Sequence, residues 1–331
     1  MAATATERTL HALASPKWML AFFAFAAASA VLSIHFPELI TAAWTVPLAL
    51  FAVTLLASIL TRPRFRRDPL LLGLHLALLA IIALVGLARL TYLDGAVTLT
   101  EGGEPFAGVL DIEQRGPFHP SKLDRLRFAN EGVFEAFDAN ERGPAIHSRI
   151  RWWDSAGRSH VAEIANDVPL LLAGYRIYAT YNRGFSPVFR WHSKNGETDV
   201  GAVQLRGDLD FGMANEWTPP NGRPLWIMLD PQRSTLMQPG EQRSGLGAKS
   251  LPHRIVVRRD TTRETLEPGQ TISFDDGSLT YLGLRSWMGY RIVYDLASDW
   301  LMGASLILVL CMSLYYWRTL RIPAVQTATA S

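Results

Sequence analysis

Four long apolar stretches, at residues 18–36, 42–60, 70–90 and 300–317, dictate most of what this chain can become. Each approaches the ~20 residues that a helix needs to cross the hydrocarbon core of a bilayer. In hydrocarbon every backbone N–H and C=O has to be paired within its own segment, so such runs fold as helices. The mean hydropathy of +0.10 would suit a soluble protein, but the apolar residues are concentrated in these runs. Between the third and fourth lie the polar residues 92–296, rich in Pro and Gly, a length usual for one large domain or two small ones.

The arginines set the orientation. The connection at residues 61–69 carries Arg62, Arg64, Arg66 and Arg67, the tail at 318–331 carries Arg318 and Arg321, and the tail at 1–17 carries Arg8 and Lys17. The short connection between the first two runs holds only Glu38 as a charge. Basic connections stay cytoplasmic, so both termini and the 61–69 loop belong inside and residues 92–296 outside, the arrangement of a multi-pass protein of a bacterial cell membrane. Trp300 at one end of the last run and Tyr315, Tyr316 and Trp317 at the other suit the two interfacial aromatic belts. Ala28-Ser29-Ala30 has the small-residue spacing of a signal-peptidase site, but the apolar run continues through Val31, Leu32 and Ile34, which favours a retained helix.

The external segment reads as β. Residues 148–153 and 160–164 flank the turn Asp154-Ser155-Ala156-Gly157, and residues 253–258 and 264–266 flank Asp260-Thr261-Thr262, two hairpins. Asp275-Asp276-Gly277 marks a third turn, before 279–284. No helical apolar stripe stands out between Glu163 and Leu296. The expected fold is therefore an integral membrane protein with four transmembrane α-helices and a large all-β, sandwich-like external domain between the third and fourth. Gly174-Tyr175-Arg176-Ile177 returns as Gly289-Tyr290-Arg291-Ile292, a weak echo that hints at two β units.

Several chemistries are excluded or unsupported. Cys311 is the only cysteine, so there is no internal disulfide, no CxxC pair and no CxxCH for covalent haem attachment. His119, His147, His160, His192 and His253 show none of the HxH, HxxxH or HExxH spacings of a zinc site, and no G-x-S-x-G elbow occurs. Arg151-Trp152-Trp153-Asp154 has the composition of a tryptophan-rich haem-handling motif, but its position at a strand end before a Gly turn points to cross-strand packing. The basic residues form no single patch, which argues against a nucleic-acid partner.

The remaining feature is His75, inside the third apolar run. An ionisable side chain there is costly and usually faces a partner or ligand. It lies about five residues, or ~8 Å of helix rise, beyond Leu70. Ile82, Gly86 and Arg89 fall within about 40° of the same direction. Such a face, with an imidazole low down and a guanidinium at the outer edge, suits a planar apolar ligand with anionic groups: haem, its iron on His75 and a propionate at Arg89. The plainer reading has His75 hydrogen-bonded to a neighbouring helix and Arg89 reaching the outer headgroups.

Leu74-His75-Leu76-Ala77-Leu78-Leu79, followed by Ala96-Val97-Thr98-Leu99-Thr100-Glu101-Gly102-Gly103-Glu104, resembles the ResB-like family of c-type cytochrome biogenesis, system II. The strand at 174–178 and the Tyr290 to Tyr294 approach to the last run are also similar, and the resemblance covers essentially the whole chain. It implies non-covalent haem b ligated by His75, a ResC/CcsA-type membrane partner and apocytochromes c as clients. The chain would then be an accessory subunit of a cytochrome c haem lyase rather than an independent enzyme, with thioether formation at the partner. The external domain is short for that family, and no Asp-Pro-Gly precedes the last run. The alternative function is a membrane-anchored β domain that binds or senses an external protein without haem.

Overall fold

The computed structural model describes residues 5–36, 40–136, 145–206, 214–231, 243–244, 248 and 251–320. Glu38 and Arg321, which enter the charge argument above, lie outside the described residues. The chain divides into two compact units, Met1–Leu93 with Arg115–Pro120 and Tyr294–Ser331, and Asp94–Gln114 with Ser121–Val293.

The first unit is helical: α1 (Ala5–Leu13), α2 (Pro16–His35), α3 (Ile40–Thr61), α4 (Pro63–Arg67), α5 (Pro69–Thr91) and α6 (Ser298–Leu320). Four of these, α2, α3, α5 and α6, are long and apolar enough to cross a membrane; three precede the β-rich region and one follows it. Helix α1 and the single turn α4 fall in stretches whose sequence shows only polar tail and basic loop. Helix α5 starts cleanly because the Asp68 Oδ1 accepts the N–H groups of Leu70 (3.2 Å) and Leu71 (3.3 Å), with Pro69 preset at the first position. Such a cap contributes ~1 kcal/mol. Asp68 also pairs with Arg318, tying the end of α6 to the start of α5. Farther along, α5 and α6 approach closely at Gly73, where an added Cβ would stand 3.0 Å from the Cys311 Sγ. Helix α5 packs on α3 through Ile82 against Leu55 and Ile59.

The last carbonyls of α5 would be orphans without outside donors. The segment Arg115–Pro120 supplies them: Gly116 N–H to Tyr92 O, Phe118 N–H to Leu90 O, and the His119 Nδ1 to Thr91 O at 3.0 Å. Gly116 is required by closeness, since a Cβ there would lie 2.4 Å from the Leu90 oxygen.

The second unit is β-rich. Strands β1 (Leu93–Thr100) and β2 (Ile112–Arg115) lead into a meander of β3 (Phe128–Ala136), β4 (Ala145–Trp153) and β5 (Ser159–Ala165). A hairpin follows, β6 (Leu170–Leu172) and the long β7 (Tyr175–Ser193). After β8 (Thr198–Ala202), β9 (Leu205–Arg206) and β10 (Ala214–Trp217) the plan repeats. The strands β11 (Leu225–Pro231), β13 (His253–Arg259) and β14 (Thr262–Leu266) form a second meander, with β12 (Arg243–Ser244) between the first two in sequence. A second hairpin, β15 (Thr271–Phe274) and the long β16 (Gly277–Tyr294), closes it. The expected hairpins form: Trp153 pairs with Ser159, Arg259 with Thr262, and Phe274 with Gly277.

The sheets run β12-β3-β4-β5, β10-β11-β13-β14, and β2-β1-β16-β7-β6 with β8 and β9 on β7 and β15 on β16. The long strands β7 and β16 run antiparallel, with Lys194 N–H on Asp276 O at one end and the Thr180 hydroxyl on Gly289 O farther along. They serve two cores. One gathers Phe106, Phe128 and Tyr290, with the Phe128 and Tyr290 rings edge to face at 5.5 Å. The other gathers Phe189, Trp191, Leu225, Ile227, Ile255, Val257 and Tyr281, all nearly or fully buried. The tetrapeptide echo is out of phase with this repeat. Gly174 sits at the turn before β7, with φ +88°, whereas Gly289 lies deep within β16.

Candidate functional site

His75 sits two turns into α5, and its ring orientation is set by local helix chemistry. The Nδ1 lies 2.8 Å from the carbonyl oxygen of Leu71, one turn back. A carbonyl can only accept, so this contact puts a proton on Nδ1, and the neutral ring so oriented carries its lone pair on Nε2. The two ring nitrogens point nearly opposite ways, so Nε2 faces away from the helix backbone. Phe65 of α4 packs against the imidazole, with centroids 4.6 Å apart and planes at 63°, and is itself 7% exposed. The bond to Leu71 is intrahelical, unlike the interhelical one of the plainer sequence reading.

Arg89 is exposed on the same helix, fourteen residues farther along, or ~21 Å of rise. The face between them is not open. Ile82, within about 20° of the His75 direction, is 6% exposed and packed on Leu55 and Ile59 of α3. The structure thus separates the two residues that the sequence reading joins. What it puts beside His75 instead is α4, whose Phe65 lies between exposed Arg64 and Arg66. The Arg64 Nη2 reaches the Tyr315 hydroxyl of α6 at 3.4 Å, while Arg62 donates to Ala14 O at 3.1 Å. A single apolar residue set among four arginines in Arg62-Pro63-Arg64-Phe65-Arg66-Arg67 signals that Phe65 is buried, though not against which residue.

The five histidines between the third and fourth apolar runs are engaged structurally. His147 pairs with Glu163 at 3.2 Å, His192 meets the Thr198 hydroxyl at 2.7 Å, and His119 stands edge-on to the Tyr294 ring at 5.0 Å. His253 bridges Leu251 O and the Tyr281 hydroxyl, both at 2.6 Å. His160 stacks on Trp152 at 4.5 Å and bonds Asp154 at 3.1 Å. That last bond, then the backbone and side chain of Arg158, hold the Asp154 carboxyl far below the usual carboxylate range. Trp153 lies under the Arg127 guanidinium at 4.7 Å. The Arg-Trp-Trp-Asp stretch is thus packing and turn, as its position implied. Among the described residues no group of three or more His, Cys, Asp or Glu could hold a metal ion. An iron porphyrin brings its own equatorial ligands, so a single imidazole can suffice for it.

No protein-family model matches this chain, and a comparison with curated proteins yields no match.

Proposed function

We propose that this chain is a membrane-embedded haem-binding subunit for c-type cytochrome assembly, with His75 as an axial ligand of non-covalent haem b. The reading places α2, α3, α5 and α6 across a bacterial cell membrane, both termini in the cytoplasm and the β unit outside. The resemblance to ResB-like proteins supplies the pathway, a ResC/CcsA-type partner and apocytochromes c. The observation that carries the site is the His75 imidazole: its Nδ1 is held by Leu71 O and its Nε2 is left facing away from the backbone. This is how an axial imidazole is commonly oriented, because the bond at one nitrogen fixes the tautomer and raises the basicity of the other.

When bound, haem supplies the iron and the vinyl groups on which cytochrome attachment depends. This chain would hold the iron through His75, whose imidazole packs on Phe65, and would leave thioether formation to the partner. The test is His75→Leu, which keeps an apolar helix. The purified variant should reach normal levels and lose at least tenfold in affinity for added haem, and external imidazole should partly restore the Soret spectrum of His75→Ala. Equal haem affinity in well-expressed His75→Leu rejects the reading.

A second reading, an external module that binds a protein without haem, is favoured by the outward face of β3, β4 and β5. There Arg127 lies over Trp153, Arg149 over Phe134 at 5.0 Å, and Val161 is 58% exposed. Rigid arginine and aromatic surfaces of this kind are common at protein contacts. Retention of an external partner by His75→Leu with no haem effect would select it.

A further inference from the structure

We infer that the arginines of α4, led by Arg64, form the anion-binding rim of the His75 site and receive the carboxylates of its planar ligand. This rests on the haem reading and adds the direction in which the ligand lies. Toward the far end of α5 the His75 face is filled, because Ile82 is seated on Leu55 and Ile59. Toward the near end it meets Phe65, and Phe65 belongs to a five-residue helix that holds Arg64, Arg66 and Arg67.

The described residues leave the charges of Arg64 and Arg66 without a carboxylate. Asp68 is the only carboxylate between Arg62 and Thr91, and it is taken by Arg318 and by the N-terminal N–H groups of α5. Arg62 caps α1 through Ala14 O. Among the described residues Arg64 reaches only the Tyr315 hydroxyl, and Arg66 only the Leu60 carbonyl, each at 3.4 Å. Their forks are exposed and meet no carboxylate among the described residues, within one turn of a residue that touches the imidazole. Guanidinium is the side chain best matched to a carboxylate, by two parallel N–H donors. An apolar disc whose iron is on Nε2 would therefore turn its acid edge to α4 and its hydrocarbon edge into the helices.

Lipid headgroups offer the same anionic oxygens, so the experiment separates the two sources. Iron protoporphyrin and its dimethyl ester are titrated into the purified full chain in nanodiscs of zwitterionic lipid, followed by absorption spectra. The wild type should bind the diacid about tenfold more tightly than the diester. Arg64→Gln with Arg66→Gln should bring that ratio to about one, leave diester affinity unchanged and leave the iron spectrum unchanged. Arg64→Lys with Arg66→Lys, which keeps the charge that orients the loop, should retain part of the preference. His75→Leu should weaken both ligands alike. A wild-type ratio near one, or a ratio that the Gln pair leaves intact, overturns the inference and assigns these arginines to lipid and topology. Should His75→Leu affect neither ligand, the haem reading itself fails.

Discussion

Replacing Asp276 with Asn should destabilise the β unit by about 2–3 kcal/mol, although the two side chains are nearly the same shape. Arg259 on β13 is 5% exposed, flattened on the Phe274 ring at 4.1 Å and within 5.7 Å of Trp191. Its Nη1 pairs with Asp276 and its Nη2 donates to Arg223 O at 2.9 Å, while Nε has no partner among the described residues. Breaking a buried pair by removing one charge costs ~3–5 kcal/mol, because the other charge stays behind unpaired. The Asp276 side chain is 22% exposed, so solvent reduces the figure. Asn can keep the Arg223 N–H, now 2.9 Å from one Asp276 oxygen, only by turning its NH2 toward the Arg259 guanidinium, so the loss combines the missing charge with a donor facing a donor. Arg259→Met fills the slot between the rings and leaves Asp276 able to turn to water, for ~1 kcal/mol. The double variant should cost no more than Asp276→Asn alone. Urea midpoints by pulse proteolysis of the full chain in detergent would measure all three. An Asp276→Asn cost below ~0.5 kcal/mol, with Arg259→Met the worse of the two, refutes the argument.

The same pair fixes an acid response. Burial alone would raise the Asp276 carboxyl, but the Arg223 N–H and the Arg259 guanidinium outweigh it and hold the carboxyl below its ordinary value. A depressed carboxylate contributes stability that is fully present above its unfolded value near ~3.9 and is lost as pH falls through the folded value. Wild type should therefore lose its advantage over Asp276→Asn only below about pH 4. An advantage that persists unchanged at pH 2 would contradict that sign.

Three further outcomes are expected. Alkaline phosphatase fused within residues 61–68 should be inactive and within 94–296 active, and the reverse would overturn the orientation. Asn130→Ala should cost ~2–3 kcal/mol, because the buried amide spans Leu99 O at 3.1 Å and Gly132 N–H at 2.9 Å, and both backbone groups would be left dry; a urea midpoint within error of wild type would be the contrary result. Gly116→Ala should lower thermal stability in detergent, since its Cβ would strike the Leu90 carbonyl; unchanged stability would mean the loop yields freely.

Much of the β unit was legible because its turns are marked by residues that form turns locally. Asp154 accepts the N–H groups of Ala156 and Arg158, and the Asp275-Asp276 pair sits at the tip of β15 and β16. Strand β1 alternates buried and partly buried without a break. What stayed hidden was the length of β7 and β16. Each crosses from one core to the other, and over Phe185–Trp191 or Ser286–Tyr290 most residues are buried on both faces, which erases the period-two signal. Short sequence likenesses such as the Gly-Tyr-Arg-Ile echo then suggest a repeat in the wrong phase, while the repeat present in the fold is one of strand order.

The site shows the same division between what a single element reveals and what its neighbours decide. A helical wheel correctly sets His75, Ile82 and Arg89 on one side of α5, since that depends only on 100° per residue. Whether the side is a groove depends on α3, whose Leu55 and Ile59 close it at Ile82. On the haem reading, the anionic edge that one would assign to Arg89 from the wheel lies at the opposite end. There Phe65 was unreadable as a neighbour of His75 because nine residues and a helix start lie between them in sequence. Asp68 makes that neighbourhood: by capping α5 and binding Arg318 it turns the chain sharply between α4 and α5 and folds the arginine turn back toward the imidazole. An ionisable side chain in an apolar helix thus marks where to look, and the cap one turn away sets which charges it meets.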